Sequence, residues 1–272
     1  MSSTADALPW RLEAVDWSRI DIEAMQGRND LLLLICASSF IESGSETYSR
    51  NLVNYFADDS EVSTWLRDEW EPEELHHGRA LRTYVQHIWP ELEWERAYAE
   101  FFAEYSKQCI SEHPEPTRGQ ELAGRCIVEM GTTTYYQALS AACDEPVLRE
   151  LIWRIRCDEL RHYKHFYAYF LRYRETERLH WPQVLAALVR RVLDMRRNDA
   201  GIGLRHAARW FEERIAPAST AEVTQRVYQL VRVHFPAQLA VRMALKPLRL
   251  APAAQRGAEW PLVAIARHLI LR

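Results

Sequence analysis

Residues 157–166 read CDELRHYKHF, and residues 70–78 read WEPEELHHG. Each stretch holds a Glu-x-x-His pair, Glu159–His162 in one and Glu74–His77 in the other. On a helix, positions i and i+3 share a face, so a carboxylate and an imidazole at that spacing can grip one metal ion. A single match carries little weight, since about one arises by chance in a chain this rich in glutamate. Two further matches illustrate the point. Glu73–His76 lies one register off its neighbour, and Glu177–His180 falls at a helix end, so neither is read as a ligand pair.

The sequence before each pair carries more information. Glu42 stands 32 residues before Glu74, and Glu129 stands 30 residues before Glu159. Both lie in poorly charged stretches: CASSFIESGSETYS (36–49) surrounds Glu42 with small residues, and GRCIVEMGTTTYYQAL (124–139) isolates Glu129 on an apolar helix. A carboxylate buried with nothing to compensate it is very costly, and a bound metal removes that cost. A four-helix carboxylate site draws one lone Glu from each of two helices and Glu-x-x-His from each of the other two. The order found here (lone Glu, pair, long connection, lone Glu, pair) therefore predicts an all-α chain with a ferritin-like four-helix bundle core. The connection carries its own crossover helix over about 91–111. Glu46, one turn after Glu42 on the same face, is the rival for the first ligand position.

Helical periodicity extends in both directions. Residues 1–28 form an irregular lead-in with one short helix. Asp30 is a plausible cap for a helix to about 57, with a core stripe of Leu33, Ala37, Phe40, Ile41 and Leu52. The next helix spans 62–88, where Pro72 either kinks it or marks its first turn. A helix over 117–142 follows the crossover. Asp144-Glu145-Pro146 then reads as cap, acid and first-turn proline of a helix to about 177. Shorter helices follow at 183–197, 203–215, 220–234, 237–246 and 258–271. The domain reading is one ferritin-like domain over 1–272, with the lead-in, a core at 29–178 and a C-terminal helical extension at 179–272.

Composition agrees. Nine glycines in 272 residues are too few for the turns of an all-β or doubly wound fold. The net charge of −4 is too mild to imply a nucleic-acid partner, and it is unevenly spread. Residues 201–272 hold eleven Lys/Arg against four Asp/Glu, which leaves −11 for the first 200. Five single cysteines without a CxxC pair read as reduced thiols, with Cys126 and Cys157 in the core beside the ligands. The ten tryptophans, and Tyr135, Tyr136 and Tyr163 near the ligands, read as packed aromatics. MSSTADALPW (1–10) lacks the basic and apolar regions expected of a signal peptide, and the longest apolar run, Leu31–Ala37, is far short of a membrane span. The expectation is a cytoplasmic protein that is not transmembrane.

These segments resemble the soluble acyl-carrier-protein desaturases. WEPEELHHG (70–78) is similar to their first metal motif, and CDELRHYKHF (157–166) to their second, DE-x-RH. IESGSETY (41–48) and VEMGT (128–132) resemble the two helix segments that supply the lone glutamates. DEPVLRELIWRIRCDELRH (144–162) looks like the approach to the second motif in shorter bacterial members. The resemblance covers about residues 30–175. It departs at His76, where members often carry Arg or a polar residue, and fades beyond about 180.

The resemblance implies a di-iron site in which Glu74 and Glu159 bridge two iron ions while Glu42, Glu129, His77 and His162 are terminal. Manganese could occupy one position. Asp158 would accept a hydrogen bond from a ligand imidazole, and Thr132 would assist proton delivery to oxygen. The activity implied is O2-dependent desaturation or hydroxylation of an acyl chain carried as a thioester on acyl carrier protein. A ferredoxin-like protein would donate the electrons, and the chain would act as a homodimer. Two other readings remain: a di-iron N-oxygenase acting on an amine, and a non-catalytic ferritin-like iron- or partner-binding protein. N-oxygenase relatives add a third histidine where this chain has Ile155. The basic residues Arg205, Arg209, Arg214, Arg226, Arg232, Arg242, Lys246 and Arg249 form either a docking face for an acidic carrier, a surface for anionic membranes, or a solvated face that balances the acidic half.

Overall fold

A computed structural model describes residues 8–111, 114–195, 199–214 and 220–270. Every regular element among them is helical, with no strand. In order these are α1 (Ile22–Gln26), α2 (Asn29–Ser43), α3 (Ser45–Tyr55), α4 (Ser60–Trp65), α5 (Glu71–Ile88), α6 (Trp94–Ser111), α7 (Arg118–Ala142), α8 (Pro146–Thr176), α9 (Trp181–Met195), α10 (Asp199–Arg214), α11 (Thr220–His234), α12 (Ala237–Leu245) and α13 (Pro252–Ile270). Short 3-10 turns at Leu12–Ala14 and Trp17–Arg19 make up the rest of the described lead-in. None of these helices is long and apolar enough to cross a membrane.

The chain divides into two compact units. The first comprises residues 1–113, 143–151 and 198–228, and the second residues 114–142, 152–197 and 229–272. Each contains one of the lone glutamates and one Glu-x-x-His pair.

In the first unit α2 packs against α5, α10 and α6. The sequence predicts a stripe on this helix, but all ten residues from Leu31 to Phe40 are buried. A helix apolar on every side belongs inside the core. Ile41 is half-buried instead. The single helix expected to about residue 57 is interrupted at Gly44, whose N–H reaches the carbonyls of Phe40 and Ile41 at 3.0 Å. The start also differs from expectation. Arg28 occupies the cap, and Asp30 sits in the first turn with an ion pair to Arg28 at 3.3 Å.

Pro72 has a resolved consequence. Proline has no N–H and clashes with the carbonyl four residues back. The chain meets this by widening Leu66–Trp70 into a π turn, closed by the Glu71 N–H on the Leu66 carbonyl. The helix therefore continues through residue 72, with Glu74 and His77 in the turns that follow.

The cap of α8 is Glu145, not Asp144. Its carboxylate accepts from the N–H groups of Val147 and Leu148 at 3.1 and 2.7 Å and from the Tyr84 hydroxyl at 2.8 Å. Pro146 takes the first helical position, as expected, so the next two N–H groups fall to Glu145.

In the second unit α7 packs against α9 and α12. A buried ion network pins α7 to α9. Glu121 accepts from Arg125 at 2.7 Å and from Arg191 at 3.4 Å, and Glu115 accepts from Arg190 at 3.0 Å. Such a network fixes geometry more than it adds stability, and it holds the helix on which Glu129 lies two turns further on.

Two expectations about packing are overturned. Cys157 is exposed. It stands two residues before Glu159, which on a helix is nearly the opposite face. Trp153, Trp181 and Trp260 are likewise 49, 58 and 81% exposed, so the tryptophans are not all core. Burial alone raises the Cys36 thiol far above its ordinary range, and it is the largest of the effects that raise Cys126 and Cys143. A thiol reagent should therefore modify one cysteine per native chain, Cys157, at a rate well above the other four. Mass spectrometry of the labelled protein checks this, and rapid labelling of Cys126 would show that its helix opens.

Candidate metal centre

The first unit brings Glu42, Glu74 and His77 together. Glu42 lies in the last turn of α2, while Glu74 and His77 share one face of α5. They are 6, 7 and 0% exposed. Each offers one ligand atom, and these three atoms lie within 4.8 Å of one another. The Nδ1 of His77 is 3.9 Å from the Glu42 carboxylate. Glu46, the rival of Glu42, is directed elsewhere: it is exposed and paired with Arg50 at 2.7 Å.

Gly78 sets how closely the two helices approach. A Cβ at this position would lie 2.4 Å from Ser43 Oγ, 2.7 Å from Ser43 N and 3.0 Å from Ser43 Cα. Glycine is therefore what allows α5 to press its His77 turn against the Glu42 turn of α2. Trp10 covers this turn from the lead-in, with its ring 4.2 Å from that of His76 and stacked 6.4 Å from that of His77. Sequence reasoning missed both residues. An isolated glycine inside a helical pattern is a detectable signal. A tryptophan in an aperiodic lead-in gives none.

The second unit repeats the arrangement with Glu129 on α7 and Glu159 and His162 on α8. All three are at most 2% exposed, and their ligand atoms also lie within 4.8 Å of one another. His162 Nδ1 is 3.7 Å from Glu129 and 3.9 Å from Glu159. Burial pushes the Glu129 carboxyl well above the ordinary carboxylate range, and the nearby Glu159 charge adds to this, while His162 opposes it. The Thr132 hydroxyl donates to Glu159 at 2.7 Å and also lies 3.2 Å from the Glu129 carbonyl. Asp158 is buried and accepts from Arg161 at 2.8 Å. Tyr163, next to His162, donates to the Met243 carbonyl at 2.7 Å, a packing role.

Of the two matches set aside, Glu177 accepts the Gly119 N–H at 3.0 Å, a structural task, and His180 is exposed. Glu73 and His76 are both buried, with His76 against Trp10.

The donors suit a divalent ion. Two donors each about 2.1 Å from an ion can stand no more than about 4.2 Å apart, and the three separations of 3.7–3.9 Å satisfy that limit. Two carboxylates and a neutral imidazole carry −2, which one divalent cation cancels within each triad. The mixed oxygen and nitrogen donors favour iron, manganese or zinc over calcium. No protein-family model, no curated protein and no solved structure matches the chain.

Proposed function

We propose that each of the two triads holds iron, that the fold is a ferritin-like bundle, and that the chain is an O2-dependent di-iron oxidoreductase. The substrate we propose is an acyl chain held as a thioester on acyl carrier protein, desaturated or hydroxylated with electrons from a ferredoxin-like donor. The observation that carries the metal reading is the duplicated buried Glu, Glu, His triad, one in each compact unit. The acyl substrate and the donor follow from the resemblance of residues 30–175 to the desaturases. N-oxygenation is disfavoured because the place of its third histidine is Ile155, which is apolar and fully buried. Iron storage leaves the helices after residue 178 without a task.

Bound iron would supply the activation of O2 needed to oxidise an unactivated C–H bond. The chain's own residues do the rest. Glu42, Glu74, Glu129 and Glu159 would provide four carboxylates to hold the iron. His77 and His162 provide neutral nitrogen donors, and burial keeps bulk water from the oxidant. Thr132 holds a proton within 2.7 Å of the Glu159 carboxylate and can pass it toward the site while its hydroxyl is refilled from solvent. Asp158 would fix the tautomer of a ligand imidazole.

The deciding experiment is anaerobic Fe(II) titration followed by exposure to O2. About two irons per chain, with oxo-bridge absorption in the near ultraviolet, is the expected result. Absence of Fe(II) uptake would overturn the proposal. Thr132→Val should keep the iron stoichiometry and lower O2-dependent turnover by about 10–100-fold, the usual cost of losing a hydrogen-bond partner of a ligand. Unchanged turnover would remove Thr132 from the proton path.

A further inference from the structure

Helix α13 turns apolar surface outward. Gln255, Ala258, Glu259, Val263 and Ala266 recur at helical spacing and are half-buried, the side that packs against α12. The opposite face carries Ala253, Gly257, Trp260, Pro261, Ala264 and Ile265, all exposed. Trp260 is 81% exposed and Ile265 52%. A helix face toward water normally carries charged and polar residues. Here the exposed residues from Pro252 to His268 include no acid, amide or hydroxyl, and their only polar members are Arg256, Arg267 and His268. Glu259, the single acid of this helix, is turned inward, where Arg242 and Gln255 donate to it at 3.2 and 3.1 Å. Arg256 and Arg267 fall within about 40° of Trp260 around the helix, one turn before it and two turns after it. The indole therefore stands between two guanidinium groups on one line, about 16 Å long.

We propose that α13 is an interfacial helix that lies on an anionic lipid surface, with Trp260 and Ile265 inserted and Arg256 and Arg267 at the level of the phosphates. Tryptophan suits that boundary, because its ring is apolar and its N–H needs a polar partner. Arginine stems can rest on the apolar layer while their guanidinium groups reach lipid phosphates. Residues 246–268 hold four Lys/Arg against one Glu, a net +3 that complements an anionic surface. The helix is not apolar enough to cross a bilayer, so it would lie in the plane of the interface. A second copy of the chain is a poorer occupant. A twofold antiparallel pair of α13 helices would set Arg256 of one copy level with Arg267 of the other, and a parallel pair would set each arginine beside its like. Both arrangements repel. An acidic protein would answer the arginines, but it would press Trp260 and Ile265 against a charge-rich surface, and charged residues are depleted where apolar anchors are buried. The inference does not depend on the metal reading.

The test is co-sedimentation of the full chain with extruded vesicles. One set is pure phosphatidylcholine, and the other is about three parts phosphatidylcholine to one part phosphatidylglycerol. The protein should partition onto the anionic set in preference to the neutral one, and added salt should reduce the partition. Arg256→Gln with Arg267→Gln should weaken it about 25-fold, at about fivefold for each arginine. Trp260→Ser should weaken it by about tenfold or more. All three side chains are exposed, so both variants should keep the circular dichroism of the wild type. Absence of partition onto the anionic vesicles, or partition indifferent to Trp260 and to both arginines, overturns the proposal. Without vesicle binding, self-association that Trp260→Ser abolishes would assign the face to a second copy, and salt-sensitive retention on poly-glutamate would assign it to an acidic protein.

Discussion

Replacing Glu159 or His162 by alanine should empty the second triad of metal while leaving the helices in place. Each substitution removes a donor, and losing even an outer partner of a ligand commonly costs 10–100-fold in affinity, at the order-of-magnitude level. The loss of a ligand itself should exceed that, taking iron from about two per chain to one or none. Stability should move differently. In the metal-free protein Glu129 and Glu159 are buried side by side, and burial already forces the Glu129 carboxyl toward its protonated form. Removing Glu159 relieves that conflict at the expense of the hydrogen bond from Thr132. The apo variant should therefore melt within a few degrees of apo wild type, and Fe(II) should raise the Tm of the wild type but not of the variant, since a ligand that binds the native state stabilises it. Metal analysis with thermal melts under anaerobic conditions checks both statements. Full iron retention by both variants would sink the assignment of the triad. Collapse of helicity would instead show that the carboxylate holds the fold.

What the sequence made legible follows from what periodicity can report. The helices of the four ligand turns were readable because their apolar spacing runs for many residues, and Glu159 and His162 stand out at i and i+3. Burial of α2 on every side was not readable, since an unbroken run such as Leu31–Ala37 has no polar face from which to read an orientation. The π turn at Leu66–Trp70 arises from a clash at Pro72 that could have been resolved by kink, start or widening. Glu145 displaced Asp144 as the cap of α8 because its carboxylate also serves the Tyr84 hydroxyl, a partner 61 residues away. Some of the basic C-terminal residues are now accounted for. Arg205 pairs with Glu104, Arg209 with Glu100 and Arg242 with Glu259, so those three balance acidic groups of their own unit. The side chain of Arg214 lies outside the described residues.

Gly78→Ala should be among the most damaging single-methyl changes in this chain, in spite of alanine's advantage in helices. Alanine in place of an interior glycine gains up to about 1 kcal/mol of helix propensity. Against that, the new Cβ meets Ser43 N at 2.7 Å and Ser43 Cα at 3.0 Å, and neither backbone atom can rotate away. Overpacking a tight contact costs about 1–3 kcal/mol, and with an unyielding partner the upper end applies. The net loss is then about 2 kcal/mol, or roughly 4–8 °C in Tm. The functional loss should be larger than the loss of stability. Relief requires α5 to move away from α2 by several tenths of an ångström at the turn holding His77, directly opposite the turn holding Glu42, and ligand constellations tolerate displacements of only about 0.5 Å. Iron should therefore fall by about one per chain at concentrations that saturate the wild type. Gly257→Ala is the control: a Cβ there meets nothing within 4 Å, so the same change should be neutral or stabilising by up to about 1 kcal/mol and leave iron untouched. If Gly78→Ala behaves like Gly257→Ala in melting and in metal content, then the close approach of α2 and α5 is not what positions Glu42 and His77.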